Sequence, residues 1–147
     1  MLALDFFHQK KVVHRDIKLE NILINQIDGD HYETRIADFG LSCFTLNDEI
    51  LTHKCGTPGY VAPEVLDGVG YTYNSDVFSL GSVFFNLLTG RYLFSGENNK
   101  DVLAKNLECQ TGHITQYLTH ISRNGKELLF WMLEHDRLKR PSARDAL

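Results

Sequence analysis

Cysteine is scarce in this 147-residue chain: Cys43, Cys55 and Cys109 are the only three. An odd count without a CxxC pair builds neither a disulfide framework nor a cysteine metal site, so a reducing compartment is expected. The seven histidines lack the i, i+4 spacing of a zinc-binding helix, and no structural metal is expected. Excess positive charge is missing too. A net charge of -4 and a pI near 5.9 offer no basic face to nucleic acid or to anionic lipid, and neither is expected as a partner. Long apolar runs are absent: the longest uncharged stretch, residues 77–90, is too short to span a bilayer and carries Ser, Asn and Thr. The first residues carry no basic-then-apolar leader. A soluble protein of the cytoplasm or nucleus is the expectation. Repeats, linkers and low-complexity segments are lacking as well, which leaves one domain able to bury about 70% of its unfolded surface.

What is present is concentrated in residues 14–21, HRDIKLEN. An acid, Asp16, stands next to a basic turn, with Lys18 two residues on and the amide Asn21 five residues on. Asp38-Phe39-Gly40 follows at the end of the next apolar segment. A proton acceptor, a nearby cation, an amide and a second carboxylate are the inventory of phosphoryl transfer from a magnesium nucleotide.

Residues 2–8 read as two turns of helix, with Lys10 and Lys11 where a helix C-terminus favours positive charge. Val12-Val13 begins a short extended piece. Residues 21–25 and 34–37 read as strands, joined across Asp28-Gly29, a hairpin turn signal. Such a hairpin brings Asn21 and Asp38 to one edge, where two oxygen donors can grip a hard cation. The same two residues also read as an Asn cap and an acidic turn residue that meet no metal; the residues alone leave both open.

Residues 41–60 are polar and aperiodic, a length of irregular chain that is usually functional or mobile. Gly56-Thr57-Pro58-Gly59 is a rigid turn cluster, and Pro63 stands at the first position of a helix. Ser75 or Asp76 is expected to cap a helix that is apolar on nearly every face and ends at Gly90. A helix of that kind belongs in the middle of a core. Residues 98–109 and 125–134 read as amphipathic helices, with Val102, Leu103 and Leu107, then Leu128, Leu129 and Met132, facing inward. Pro141 is expected to open a last helix. The fold class read from these elements is mainly α with one small β-hairpin.

The motifs HRDIKLEN, IADFG, CGTPGYVAPE, SDVFSLG and KRPSARDAL occur in this order. Together they make the chain resemble the C-terminal lobe of a eukaryotic protein kinase over essentially all of residues 1–147, the large part of an α+β two-lobe fold. The resemblance implies ATP and Mg2+ as cofactors and a protein substrate bearing Ser or Thr. It implies that Asp16 accepts or orients the substrate hydroxyl proton and that Lys18 steadies the transferring phosphoryl group. It places Lys18, Glu20, Asn21, Leu23, Ala37 and Asp38 about the nucleotide. Asn21 and Asp38 hold the metal, and Leu23 and Ala37 border the adenine. Glu20 is also a candidate to recognise a basic residue of the substrate. Asp76 is expected to anchor the backbone at His14-Arg15, and Glu64 to pair with Arg140 in a buried ion pair. Lys18 and Thr57 are similar to serine/threonine rather than tyrosine kinases, and the run CGTPGYVAPEVL is most similar to the calcium/calmodulin-dependent group.

Arg15 beside Asp16 implies control by loop phosphorylation through an upstream activating kinase, with Thr52 as the candidate acceptor. The pattern also departs from the family. Phe78 stands where Trp is usual, and Leu19 where Pro is common. No glycine-rich loop and no strand lysine accompany the motifs, so the N-terminal lobe is expected to lie outside this chain. Two classes of function follow: a catalytic lobe of a serine/threonine kinase, or a non-catalytic lobe acting as a protein-binding module.

Overall fold

The computed structural model describes residues 1–45 and 50–147. Helix α1 (Leu2–Gln9) buries Leu4 and stops at Lys10 and Lys11, the latter at φ +62. Strand β1 (Val12–Val13) follows, and a 3-10 turn (Leu19–Asn21) leads into β2 (Ile22–Asp28) and its antiparallel partner β3 (His31–Ile36). The register runs from Ile22 opposite Ile36 to Asp28 opposite His31, with an irregularity at Gln26–Asp28. The hairpin therefore forms where expected but runs further outward on both strands. Its inner end, Ile22 and Ile36, packs on the core, whereas Ile24 and Ile27 are solvent-exposed.

The short strand β4 (Cys43–Phe44) pairs with β1, Val12 opposite Phe44 and Val13 opposite Cys43. Residues 43–45 are thereby drawn back beside the HRD turn, a pairing two residues long that no periodicity in the sequence announces. Residues 46–49, which belong to the segment read as irregular, lie outside the described residues.

The centre of the molecule is helix α3 (Tyr73–Thr89), and the prediction of a buried pillar holds. Its start differs from expectation. Tyr73 is the first helical residue and Thr72 the cap, while Ser75 lies inside the first turn, its hydroxyl accepting the Thr72 N–H at 3.0 Å. Gly90 ends the helix at φ +67, the left-handed stop that glycine adopts without a Cβ clash. One side of α3 packs Phe78 and Phe85 with Val61, Val65, Leu129 and Leu133. The other packs Val77 and Val83 with Leu4, Ile17, Tyr60 and Met132. Gly81 lets α5 (Arg123–Met132) and its end approach, since a Cβ there would sit 3.0 Å from both Met132 and Leu133.

Helix α2 (Pro63–Leu66) has Pro63 at its first position, as expected, and packs against α4 (Asn99–Glu108). Helix α4 buries Asn106 completely, while Leu107, expected inside, is exposed. The reason is polar: Asn106 Oδ1 accepts the Gly59 N–H at 2.8 Å and its Nδ2 donates to the Val61 carbonyl at 2.7 Å. Residues 141–147 form a turn held by Ser142 and Asp145, not the helix expected after Pro141. No helix of the described residues is long and apolar enough to cross a membrane.

Candidate active site

Residues 14–21 are positioned by α3, to which they are bound through their own backbone. Asp76, fully buried in the first turn of α3, accepts the His14 N–H at 2.8 Å on Oδ2 and the Arg15 N–H at 2.9 Å on Oδ1. The expected anchor is thus in place. His8 of α1 adds a third contact to the same carboxylate at 3.1 Å. Arg15 takes φ +68, a left-handed conformation that costs a non-glycine residue about 1–2 kcal/mol, and these bonds hold it there. His14 Nε2 donates to the Ala37 carbonyl at 3.1 Å while its Nδ1 accepts the Asp16 N–H at 3.3 Å. One ring therefore ties the end of β3 to the turn that carries Asp16.

Asp16 is 8% exposed. Its Oδ2 accepts from Lys18 Nζ at 2.7 Å and its Oδ1 accepts from the Thr57 hydroxyl at 2.7 Å. Lys18 Nζ also donates to Thr57 Oγ1 at 3.2 Å, closing a triangle. Asn21 is buried, with Nδ2 donating to the Asp16 carbonyl at 2.9 Å and to Oδ2 at 3.4 Å. The hydrogen bond to Asp16 is the main reason that the Lys18 ammonium is held above its ordinary range, the charges of Asp16, Glu20 and Asp38 adding to it.

The base of the hairpin joins the two halves of the site. The Ala37 N–H donates to the Asn21 carbonyl at 2.8 Å, so the chain that leads into Asp38 runs alongside Asn21. Asp38 is exposed and held at φ +61, with Oδ1 accepting the Gly40 N–H at 3.1 Å. Phe39 stacks edge-on against both Phe7 and His14 at 5.0 Å. Ala37 is half-buried beside them, Leu23 is 56% exposed on β2, and Glu20 is exposed on the 3-10 turn. Among the described residues, no group of three or more His, Cys, Asp and Glu could hold a metal ion.

Sequence reasoning took Thr57 only as a sign of substrate class; its bonds to both Asp16 and Lys18 were not legible. The segment that brings it there is held by buried contacts, among them Asn106 and the Ser82 hydroxyl, which donates to the Gly59 carbonyl at 2.8 Å. The expected Glu64–Arg140 pair is present and bidentate, at 2.8 and 3.0 Å, with both side chains buried. A cavity of about 570 Å3 lies among α1, α3, α5 and the hairpin base. It is lined mainly by apolar side chains and includes none of Asp16, Lys18, Asn21 or Asp38, so we assign it no chemistry.

Asp16 is thus bracketed by a lysine and a hydroxyl, with the amide of Asn21 bonded to its carbonyl. The chain belongs to the protein kinase domain family, whose pattern matches residues 1–147. Proteins named as serine/threonine kinases are among those it is similar to. It is 40% identical over 132 residues to a protein of Plasmodium falciparum named "Probable serine/threonine-protein kinase 2", covering 90% of this chain and 26% of the relative. It is 36% identical over 145 residues to myosin light chain kinase A of Dictyostelium discoideum, covering 99% of this chain and 49% of that one. A calcium/calmodulin-dependent protein kinase of Emericella nidulans is 35% identical over 149 residues, 99% of this chain and 35% of its own length. The chain thus spans between a quarter and a half of these relatives.

Proposed function

We propose that residues 1–147 are the C-terminal lobe of a protein kinase domain that transfers the γ-phosphoryl group of ATP to a serine or threonine hydroxyl of a protein. The observation that carries this reading is the closed triangle of Asp16, Lys18 and Thr57, backed by Asn21. In it Asp16 faces the substrate hydroxyl, orients its oxygen and receives its proton. General-base help of this kind is worth about 100- to 10,000-fold. Lys18 remains a cation across the working pH range and offsets charge on the transferring group. The new bond forms between the hydroxyl oxygen and the γ-phosphorus, and ADP leaves.

Asn21 and Asp38 would hold Mg2+. The donors fit: both amide hydrogens of Asn21 sit on the nitrogen that is turned back on Asp16, which leaves its Oδ1 for a cation, and Asp38 offers an exposed carboxylate. Two protein oxygens suffice for an ion that takes most of its shell from water and phosphate. When bound, the metal supplies charge neutralisation at the phosphates. Leu23 and Ala37 border the adenine, and Glu20 faces the basic part of a substrate. A phosphate placed on the exposed Thr52 by an upstream kinase would pair with Arg15 and order the loop.

The test is phosphate transfer from labelled ATP to a basic Ser/Thr peptide. Asp16→Asn is expected to lower the rate at least 100-fold, and Asp38→Ala to abolish it. The 56% exposure of Leu23 favours a second reading, a lobe that binds protein without turnover. Peptide binding with no transfer, unchanged by Asp16→Asn, would select that one.

A further inference from the structure

The hydroxyl of Tyr71 touches two of the stretches of chain that build the site, at Arg15 and at Cys55, yet it belongs to none of the roles assigned above. Tyr71 precedes α3 and is 1% exposed. Its Oη donates to the carbonyl of Arg15 at 2.8 Å and lies 3.4 Å from the carbonyl of Cys55. A phenol has one hydrogen, so the shorter contact to Arg15 is the principal bond. The main chain of Tyr71 pairs with Leu51 in both directions, its N–H donating at 2.8 Å and its carbonyl accepting at 3.1 Å. Gly56 fills the remaining space. A Cβ on Gly56 would lie 2.7 Å from Tyr71 Oη and 3.2 Å from the Arg15 carbonyl oxygen, so only glycine permits this approach.

These contacts have a direction. Arg15, at φ +68, is held on its N–H by Asp76 and on its carbonyl by Tyr71. The Arg15 carbonyl belongs to the peptide that enters Asp16, and the plane of that peptide sets where the Asp16 side chain leaves the backbone. Through Leu51 and Cys55 the same tyrosine grips the returning loop just before Thr57, the partner of Asp16 on its other side. Burial pushes the phenol far above its ordinary range, which keeps Oη a donor at every working pH.

We infer that Tyr71 is a positioning residue whose hydroxyl fixes the Arg15–Asp16 peptide and couples it to residues 51–57, so that Asp16 is aimed when that loop is seated. The kinetic consequence rests on the function proposed above; the coupling itself does not.

The experiment is residue-resolved amide exchange by NMR on the full chain, with Tyr71→Phe keeping the ring and removing only the hydroxyl. Ser79→Ala serves as the packing control, because it removes a different buried hydroxyl bond, to the Ser75 carbonyl at 3.1 Å. Tyr71→Phe is expected to speed exchange in residues 15–18 and 51–57 together by roughly five- to tenfold, the effect of one lost buried hydrogen bond. Exchange in α5 should stay as it is, and Ser79→Ala should leave both stretches alone. Gly56→Ala, which pushes on the same hydroxyl from the other side, is expected to reproduce the pattern and serves if the tyrosine variant does not fold. In peptide phosphorylation, kcat should fall about as much while the KM for ATP holds. Unchanged exchange, loosening of one stretch without the other, or loosening in step with α5 would overturn the inference. A chain that transfers no phosphate but shows the coupled pattern would defeat the proposed function and leave Tyr71 in its role.

Discussion

Thr57 stands 2.7 Å from one oxygen of Asp16 while Lys18 stands 2.7 Å from the other, so neither oxygen can turn without breaking a bond. Removing the Thr57 hydroxyl frees Oδ1 and leaves Lys18 with a single partner in the triangle. Thr57→Val is expected to lower phosphate transfer by roughly tenfold, in line with one charge-assisted hydrogen bond, whereas Thr57→Ser should stay within about threefold. Peptide phosphorylation rates of the two variants decide; loss in Thr57→Ser with activity kept in Thr57→Val would make the methyl group, not the hydroxyl, the part that matters. At this scale residue type and spacing single out Asp16, Lys18 and Asn21, which the structure brings into hydrogen-bond contact. The sequence was silent about the bonds made by Thr57 and Asn106. Their partners lie 41 and 45–47 residues away, and no local pattern encodes which backbone groups need a buried donor or acceptor.

Among the elements, α2 and the C-terminal turn are tied by Glu64 and Arg140. Glu64 Oε1 also accepts from the Ser75 hydroxyl at 2.8 Å, and Arg140 donates to the carbonyls of Asn74, Glu134 and His135. The guanidinium lies 4.9 Å from the Phe78 ring. Glu64→Ala would leave this cation buried without its counter-charge, and the expected cost is about 3–5 kcal/mol. Replacing both partners by Leu and Met should recover part of that loss, since the desolvation penalty leaves with the charges. Urea unfolding of the single and double variants measures both effects, and a loss below about 1 kcal/mol for Glu64→Ala would mean that water already reaches the pair. The ion pair came from family resemblance, whereas α1, α3, α4 and α5 were legible from periodicity. The hairpin ran longer than read because its outer strands face solvent on both sides, so no buried face marks their ends. The helix expected after Pro141 is a turn instead, in which the N–H and the hydroxyl of Ser142 both bond the Asp145 carboxylate.

For the whole molecule, two properties are open to test: alkaline stability and, on the proposed function, nucleotide affinity. Cys109, 8% exposed at the end of α4, has its thiol pushed up by burial from 9.0 to about 11. Below pH 9 both folded and unfolded thiols keep their proton and stability is full. Above it the unfolded chain releases a proton that the folded chain retains until about pH 11, so stability falls across that window, by roughly 2–3 kcal/mol. Cys109→Ala should flatten that part of the decline while lowering stability at pH 7; parallel curves for the two proteins would show that the thiol already meets water. Nucleotide affinity is the sharper test, because Leu23 is 56% exposed and Phe39 44% exposed in the described structure. On the proposed function, Leu23 would cover one face of the adenine and leave the other wet. A dissociation constant near 1 mM would give about 0.4 kcal/mol of stabilisation at 1 mM ligand. For a domain of this size that is a rise of roughly 1–2 °C in Tm. This chain is expected to show no more than that with Mg-ATP, and Asp38→Ala should remove what there is. A rise well above 5 °C that Asp38→Ala abolishes would mean that Asn21, Asp38 and Leu23 grip the nucleotide from one side alone.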